Sequence, residues 1–148
     1  MDNLIKNIHT VDDLDLVVNQ LDNLKRHIFE TKSATKDLLG MFLTKENELE
    51  FSKDLEKSKI NIQNPDEFTT LINQTVKTLM NIPKISIIFA YVPTRLLLKK
   101  VMEETEGRGK FVFDYTVDPS IYGGIMILAG GVVYDYSIQK IVSGYLSD

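Results

Sequence analysis

The chain has 148 residues, 43% of them hydrophobic, with no Cys, no Trp and a formal net charge of −4 from 17 Lys/Arg against 21 Asp/Glu. That length fits one medium core or two small ones, and the missing cysteines exclude a disulfide scaffold and a thiolate metal site. Two histidines, His9 and His27, are poor material for a His-rich metal centre or a His-based triad, and an acidic chain without a basic run argues against a general nucleic-acid binder.

No positively charged segment opens the chain as a secretory signal would. Its most apolar stretch, Tyr122–Tyr134, contains four glycines and falls short of the ~20 residues of a membrane helix. A soluble, intracellular protein is expected.

Divided at Ile82–Pro83, the chain has two unlike halves. Residues 1–82 hold 10 basic and 14 acidic side chains, while residues 83–148 hold 7 of each, so the net charge belongs to the first half. There the apolar period is helical. Leu14, Val17, Val18, Leu21, Leu24 and Ile28 recur at three- and four-residue steps, and Thr10 with Asp13 three positions on resembles a capping box, which predicts a helix over 11–30. A short helix is expected over 35–43 with Leu38, Leu39 and Phe42. Another is expected over 44–57, where only Leu49, Phe51 and Leu55 offer anything to bury. The segment 57–64 reads as a flexible joint. Asn64-Pro65-Asp66-Glu67 then supplies a cap, a proline at the first helical position and acids at the positive end of the dipole. The stripe Phe68, Leu71, Ile72, Val76 and Leu79 carries that helix to Asn81.

Past Pro83 the pattern becomes β-rich. Ile85–Val92, bounded by Pro83 and Pro93, reads as a buried strand. Pro93 and Thr94 open a helix with Leu96, Leu97, Val101 and Met102 that Gly107 and Gly109 close. Lys110–Val117 alternates as a second strand, and Asp118-Pro119-Ser120 is turn chemistry. Gly124–Ala129 and Val132–Tyr136 flank Gly130-Gly131, which suits the positive-φ positions of a two-residue hairpin. Ser137 then caps a last helix with Ile138, Ile141, Val142 and Tyr145 on one face. The expected fold is α+β: a small N-terminal bundle of three or four helices over 1–82, followed by a β-α-β-β-β-α domain over 83–148.

Catalytic chemistry finds little support. Glu106-Gly-Arg-Gly-Lys110 follows a helix and opens a strand, the reverse of a phosphate-binding loop, and reads as a helix C-cap. Asp12, Asp13 and Asp15 fit a solvated helix start better than a cation site. Asp114, Asp118 and Asp135 could approach one another for hydrolysis, but turn and cap roles suit them better. No catalytic, cofactor-binding or metal-ligating residue is assigned.

One segment is more specific. Val117-Asp118-Pro119-Ser120-Ile121-Tyr122-Gly123-Gly124-Ile125-Met126-Ile127, followed by Asp135, Ser137 and an amphipathic end helix, resembles the C-terminal signature of the delta subunit of F-type ATP synthases, the oligomycin-sensitivity-conferring protein family. The strand, helix and Gly-Arg-Gly-Lys turn upstream resemble the same family, so the likeness spans roughly residues 84–148. Physical roles suit the matched residues: Asp118, Pro119 and Ser120 fix a turn, Gly123 and Gly124 permit a close approach, and Asp135 and Ser137 cap the final helix.

The resemblance implies a non-catalytic stator subunit without a cofactor. It would join the catalytic head to the peripheral stalk during proton-driven ATP synthesis, on the cytoplasmic side of the plasma membrane, held there by the complex without inserting into the bilayer. Where the family usually has charged residues, this chain has Leu128, Gly131 and Val132, so an apolar hairpin is expected to pack on a helix of the b-type stator subunit. The expected stalk contact is Ile125, Ile127, Leu128, Val132, Tyr134, Tyr136, Ile141 and Tyr145. The expected contact with the alpha subunits of the head is Leu14, Val17, Leu21, Leu24 and Ile28. The alternatives are a peripheral-stalk E-type subunit of a V-type or archaeal ATPase, which would need one long N-terminal helix, and an unrelated adaptor or regulatory module.

Overall fold

A computed structural model describes residues 2–31, 37–58, 60–106 and 109–146. The protein is α+β and divides into two compact units, Met1–Ile82 and Pro83–Asp148. The expected closing turn at Gly107-Arg108 and the start of the helix predicted over 35–43 lie outside the described residues.

The first unit contains α1 (Asp2–Lys6), α2 (Val11–Thr31), α3 (Asp37–Phe42), α4 (Lys45–Ser58) and α5 (Pro65–Met80). The capping box forms as read. The Asp13 N–H donates to Thr10 Oγ1 at 3.1 Å, and Asp13 Oδ2 accepts from the backbone N–H groups of Thr10 at 2.9 Å and His9 at 3.1 Å. Asn64 likewise caps α5, its side chain accepting from the Asp66 N–H at 3.1 Å. Helix α2 packs on α5 and α3, and α1 on α4. Between them lie Phe51 and Phe68, stacked with ring centroids 6.5 Å apart, and the fully buried Leu14, Leu21, Leu24, Leu39, Ile72 and Leu79. Each such side chain contributes about 1.5–3 kcal/mol on leaving water.

Helix α1 was not expected from the sequence. Five residues cannot hold a helix in water. The segment stays in place because Leu4 and Ile8 are buried and because Asp54 of α4 accepts hydrogen bonds at its start.

The second unit contains β1 (Lys84–Phe89), α6 (Arg95–Glu106), β2 (Val112–Val117), β3 (Gly124–Ala129), β4 (Val132–Ser137) and α7 (Ile138–Leu146). The sheet order is β2-β1-β3-β4. Strand β1 runs parallel to β2 through the α6 crossover and antiparallel to β3, and β3 and β4 form the hairpin. Gly130 and Gly131 sit at φ 57° and 79°, the positive values a type I′ turn demands.

Strand β1 stops at Phe89, three residues before the predicted end at Val92. Its last ladder bonds are the Asp118 N–H to the Phe89 carbonyl and the Ala90 N–H to the Gly124 carbonyl. Both neighbouring strands turn away there, at Asp118-Pro119 and at Gly123, so nothing remains for residues 91 and 92 to pair with. Thr94 rather than Pro93 begins the following helix, its Oγ1 accepting from the Leu97 N–H at 3.2 Å. The core of this unit is thin: Ile87, Phe89 and Phe113, joined by half-buried Ile85, Leu97, Leu98, Val101, Ile125 and Ile127.

Candidate functional site

Alternation puts Ile85, Ile87 and Phe89 of β1 on the sheet face that carries α6, together with Ile125 and Ile127 of β3. The register brings Tyr136 opposite Ile125, Tyr134 opposite Ile127 and Val132 opposite Ala129, so these three β4 residues share that face. Helix α6 covers its β1 side and leaves the β4 side open. The result is a groove of about 490 Å³ walled by Val101, Phe113, Ile127, Tyr134 and Tyr136, with Lys84 at its edge.

Of the residues expected to meet a stalk, Ile127, Tyr134 and Tyr136 line this groove, and Ile125 packs half-buried on the adjoining core. Val132 is half-exposed on the same face at the hairpin end of β4. Leu128 belongs to the opposite face, across from Val133, because a strand turns successive side chains to opposite sides. Ile141 and Tyr145 are exposed on α7, Tyr145 at 81%. The sequence reading did not include Val101 and Phe113, which complete the groove. No local pattern marks those two; the sequence signal falls on the β4 wall, since all six tyrosines lie beyond residue 83 and tyrosine is enriched at interfaces for its apolar body and polar tip.

The residues expected to meet the head are placed differently. Leu14, Val17, Leu21, Leu24 and Ile28 are at most 2% exposed. Their stripe is spent inside the helical unit, where α2 packs on α5 and α3, so it presents no surface to a partner. The outward apolar residues of α2 are Leu16 and Phe29.

The signature residues form the frame of the site. Gly124 has φ 86°, and a Cβ there would run into the Tyr136 carbonyl oxygen and lie 2.9 Å from Ser137 Cα. Gly123 has φ 73° and accepts the Ile138 N–H at its carbonyl. Asp118 Oδ1 accepts the Ser120 N–H at 2.9 Å and closes the Asp-Pro-Ser turn, and Asp135 Oδ1 accepts the Ser137 N–H at 2.8 Å. Ser137 in turn accepts the Lys140 N–H at 3.3 Å and caps α7.

The Ser120 hydroxyl and N–H hold the Asp118 carboxyl below the usual carboxylate range. The Ser137 hydroxyl and N–H do the same for Asp135 against opposing desolvation, with help from the Lys140 charge. Both folded pKa values are depressed, so the stabilisation is complete above the unfolded value of about 3.9 and is lost as pH falls through the folded values. Urea titrations at descending pH should therefore narrow the gap between the wild type and an Asp118→Asn/Asp135→Asn variant. A gap that stays constant with pH would contradict the assignment.

Asp114, Asp118 and Asp135 do not form a carboxylate site. Asp114 is on β2 and Asp135 on β4, the two outer strands, roughly 14 Å apart at the usual strand spacing. Asp12 and Asp15 are exposed, and Asp13 is committed to its capping box. His27 lies against Phe42, with ring centroids 5.2 Å apart. Among the described residues no cluster of three or more His, Asp or Glu could hold a metal ion, and no helix is long and apolar enough to cross a membrane.

Residues 93–145 match the family model of the ATP synthase delta (OSCP) subunit. The matched span runs from the start of the crossover helix into α7 and contains the whole Asp-Pro-Ser, Gly-Gly and Asp-x-Ser frame, so the signature read from the sequence is that family's. No curated protein matches the chain.

Proposed function

We propose that the protein is a non-catalytic peripheral-stalk subunit of an F-type ATP synthase, joining the catalytic head to the b-type stalk so that rotation does not carry the head with it. The family match over residues 93–145 carries this reading. The geometry supports it in two ways. The signature residues serve turns, a close backbone approach and a helix cap, which are scaffold roles. The groove beside Tyr134 and Tyr136 is apolar and open, the kind of surface on which the apolar stripe of a helix can be seated.

In this reading the C-terminal unit meets the stalk through the groove. The helical unit meets the alpha subunits of the head through its outer surface, with Leu16 and Phe29 as the apolar points of α2. The protein reaches the membrane only through the complex. The E-type alternative gains no support, since the longest described helix of the first unit is α2 with 21 residues.

The chain should co-purify with ATP synthase subunits, and a deep pull-down that recovers it without any of them would sink the proposal. Within the complex, Val132→Lys and Tyr136→Lys should weaken binding of the stalk subunit roughly tenfold or more, because each sets an unpaired ammonium against apolar surface. Leu128→Arg, on the other face of the sheet, should weaken it less. Equal losses from all three in a titration with the purified stalk subunit would show that the groove is not the contact.

A further inference from the structure

Two hydroxyls restrict what the groove can take. Tyr134 and Tyr136 stand on its open wall, both about half exposed, and neither hydroxyl bonds to another described residue. Solvent answers both while the wall is bare, and a partner seated there removes that solvent. If the partner brought only aliphatic side chains, two covered hydroxyls would be left without a hydrogen bond, a penalty set against the gain from apolar contact. Their neighbours in the groove cannot help, since Ile127 and Ala129 of β3 and Val101 of α6 have no polar side-chain atom. Lys84, the one charged residue among the described lining residues, begins β1, two strands away from β4.

The spacing of the two tyrosines fits a helix. Two strand spacings, about 9.6 Å, separate the middle of the β2–β1 pair from the middle of the β3–β4 pair. Packed helices lie about 8–10 Å apart, so one further helix in the layer of α6 would rest on β3 and β4. Tyr134 and Tyr136 are two residues apart on β4, about 6.8 Å along the strand, and helix positions four apart are separated by about 6 Å along the axis. We propose, resting on the stator reading, that the stalk segment docks as a helix along β4 beside α6 and carries two uncharged hydrogen-bonding side chains, of the Asn or Gln kind, four residues apart, one for each hydroxyl. The rest of its contacting stripe is apolar, to match Ile127 and Val132. The polar pair is uncharged because a carboxylate or an ammonium would be pressed against the same apolar wall with no counter-charge beside it. Tyr134 and Tyr136 are then specificity-determining residues, which disfavour a wholly aliphatic stripe as apolar surface alone cannot.

The test titrates the full chain with the purified stalk subunit in isothermal calorimetry at low and high salt, with circular dichroism to verify folding. Tyr134→Phe and Tyr136→Phe keep the rings and delete one hydroxyl each. Either should weaken binding roughly fivefold, and the double variant roughly twenty-five-fold, since each leaves a polar group of the partner unpaired. Tyr91→Phe, outside the groove, should change nothing. The losses should be equal at both salt concentrations, because no charge is involved. A double variant that binds as tightly as the wild type would overturn the inference, and a loss that fades in high salt would overturn the uncharged pairing. A wild type that does not bind the stalk subunit at all brings down the stator reading itself, a result distinct from either.

Discussion

Gly124→Ala should destabilise the C-terminal unit by about 3 kcal/mol, enough to unfold much of it. A non-glycine residue held at φ 86° costs about 1–2 kcal/mol through the contact of its Cβ with the backbone. The larger problem is what that Cβ meets. It is directed at the Tyr136 carbonyl and Ser137 Cα, both main-chain atoms that cannot swing aside as a side chain would. Strands β3 and β4 would have to part where Asp135 and Ser137 cap α7, with the loss of the Ile138 N–H bond and the cap, each worth about 1 kcal/mol.

Gly130→Asn is the control. It too has positive φ, 57°, but nothing lies within 4 Å of its Cβ, and Asn tolerates the left-handed region. Its cost should stay within about 1 kcal/mol. With no Trp and all six tyrosines in the C-terminal unit, tyrosine fluorescence reports this unit alone during urea unfolding. If Gly124→Ala and Gly130→Asn shift the midpoint equally, the close approach of the two strands is not what Gly124 serves.

Asp54→Ala should cost the helical unit about 2–3 kcal/mol at neutral pH. The Asp54 carboxylate is 1% exposed and accepts the Leu4 N–H at 3.0 Å, the Asn3 N–H at 3.2 Å and Asn3 Nδ2 at 3.0 Å. Alanine would leave buried donors unanswered and release the segment that seats Leu4 and Ile8. Asp54→Asn keeps an acceptor and should lose less. Burial pushes the Asp54 pKa up, but the Leu4 and Asn3 N–H groups are among the influences that outweigh it, and the folded value lies below the ordinary one. The contribution is therefore present in full above the unfolded pKa of about 3.9 and disappears as pH falls through the folded value. Far-ultraviolet dichroism in urea checks both points. A variant that melts with the wild type at neutral pH would mean that α1 is held by Leu4 and Ile8 alone.

Local chemistry made much of this molecule legible from its residues. The Thr10–Asp13 box, the Asn64 cap with Pro65, and Gly130-Gly131 all use side chains or φ values within a few positions of the feature they specify. Helix α1 could not be found this way, because its cap comes from Asp54, some fifty residues along the chain. The end of β1 was missed for a related reason. Residues 91 and 92 are as apolar as a strand, but strandhood depends on neighbours, and both neighbours had turned away.

The site divides along the same line. The periodicity of Leu14–Ile28 defines an apolar face without saying what covers it, and α5 and α3 cover it within the unit. Tyr134 and Tyr136 could be picked from their alternation. The groove they border needs Val101 and Phe113 as its far wall, and only the packing of α6 on the sheet and the parallel pairing of β2 with β1 bring those residues across.

The position of β1 has a mechanical consequence. It is the first element after Pro83, yet it lies inside the sheet with β2 on one side and β3 on the other. A pull applied through residue 82 along the axis of this interior strand loads the ladders on both of its sides at once. The hydrogen bonds of both flanking ladders then resist together in shear, whereas a chain entering through β2 or β4 could be peeled away one bond at a time.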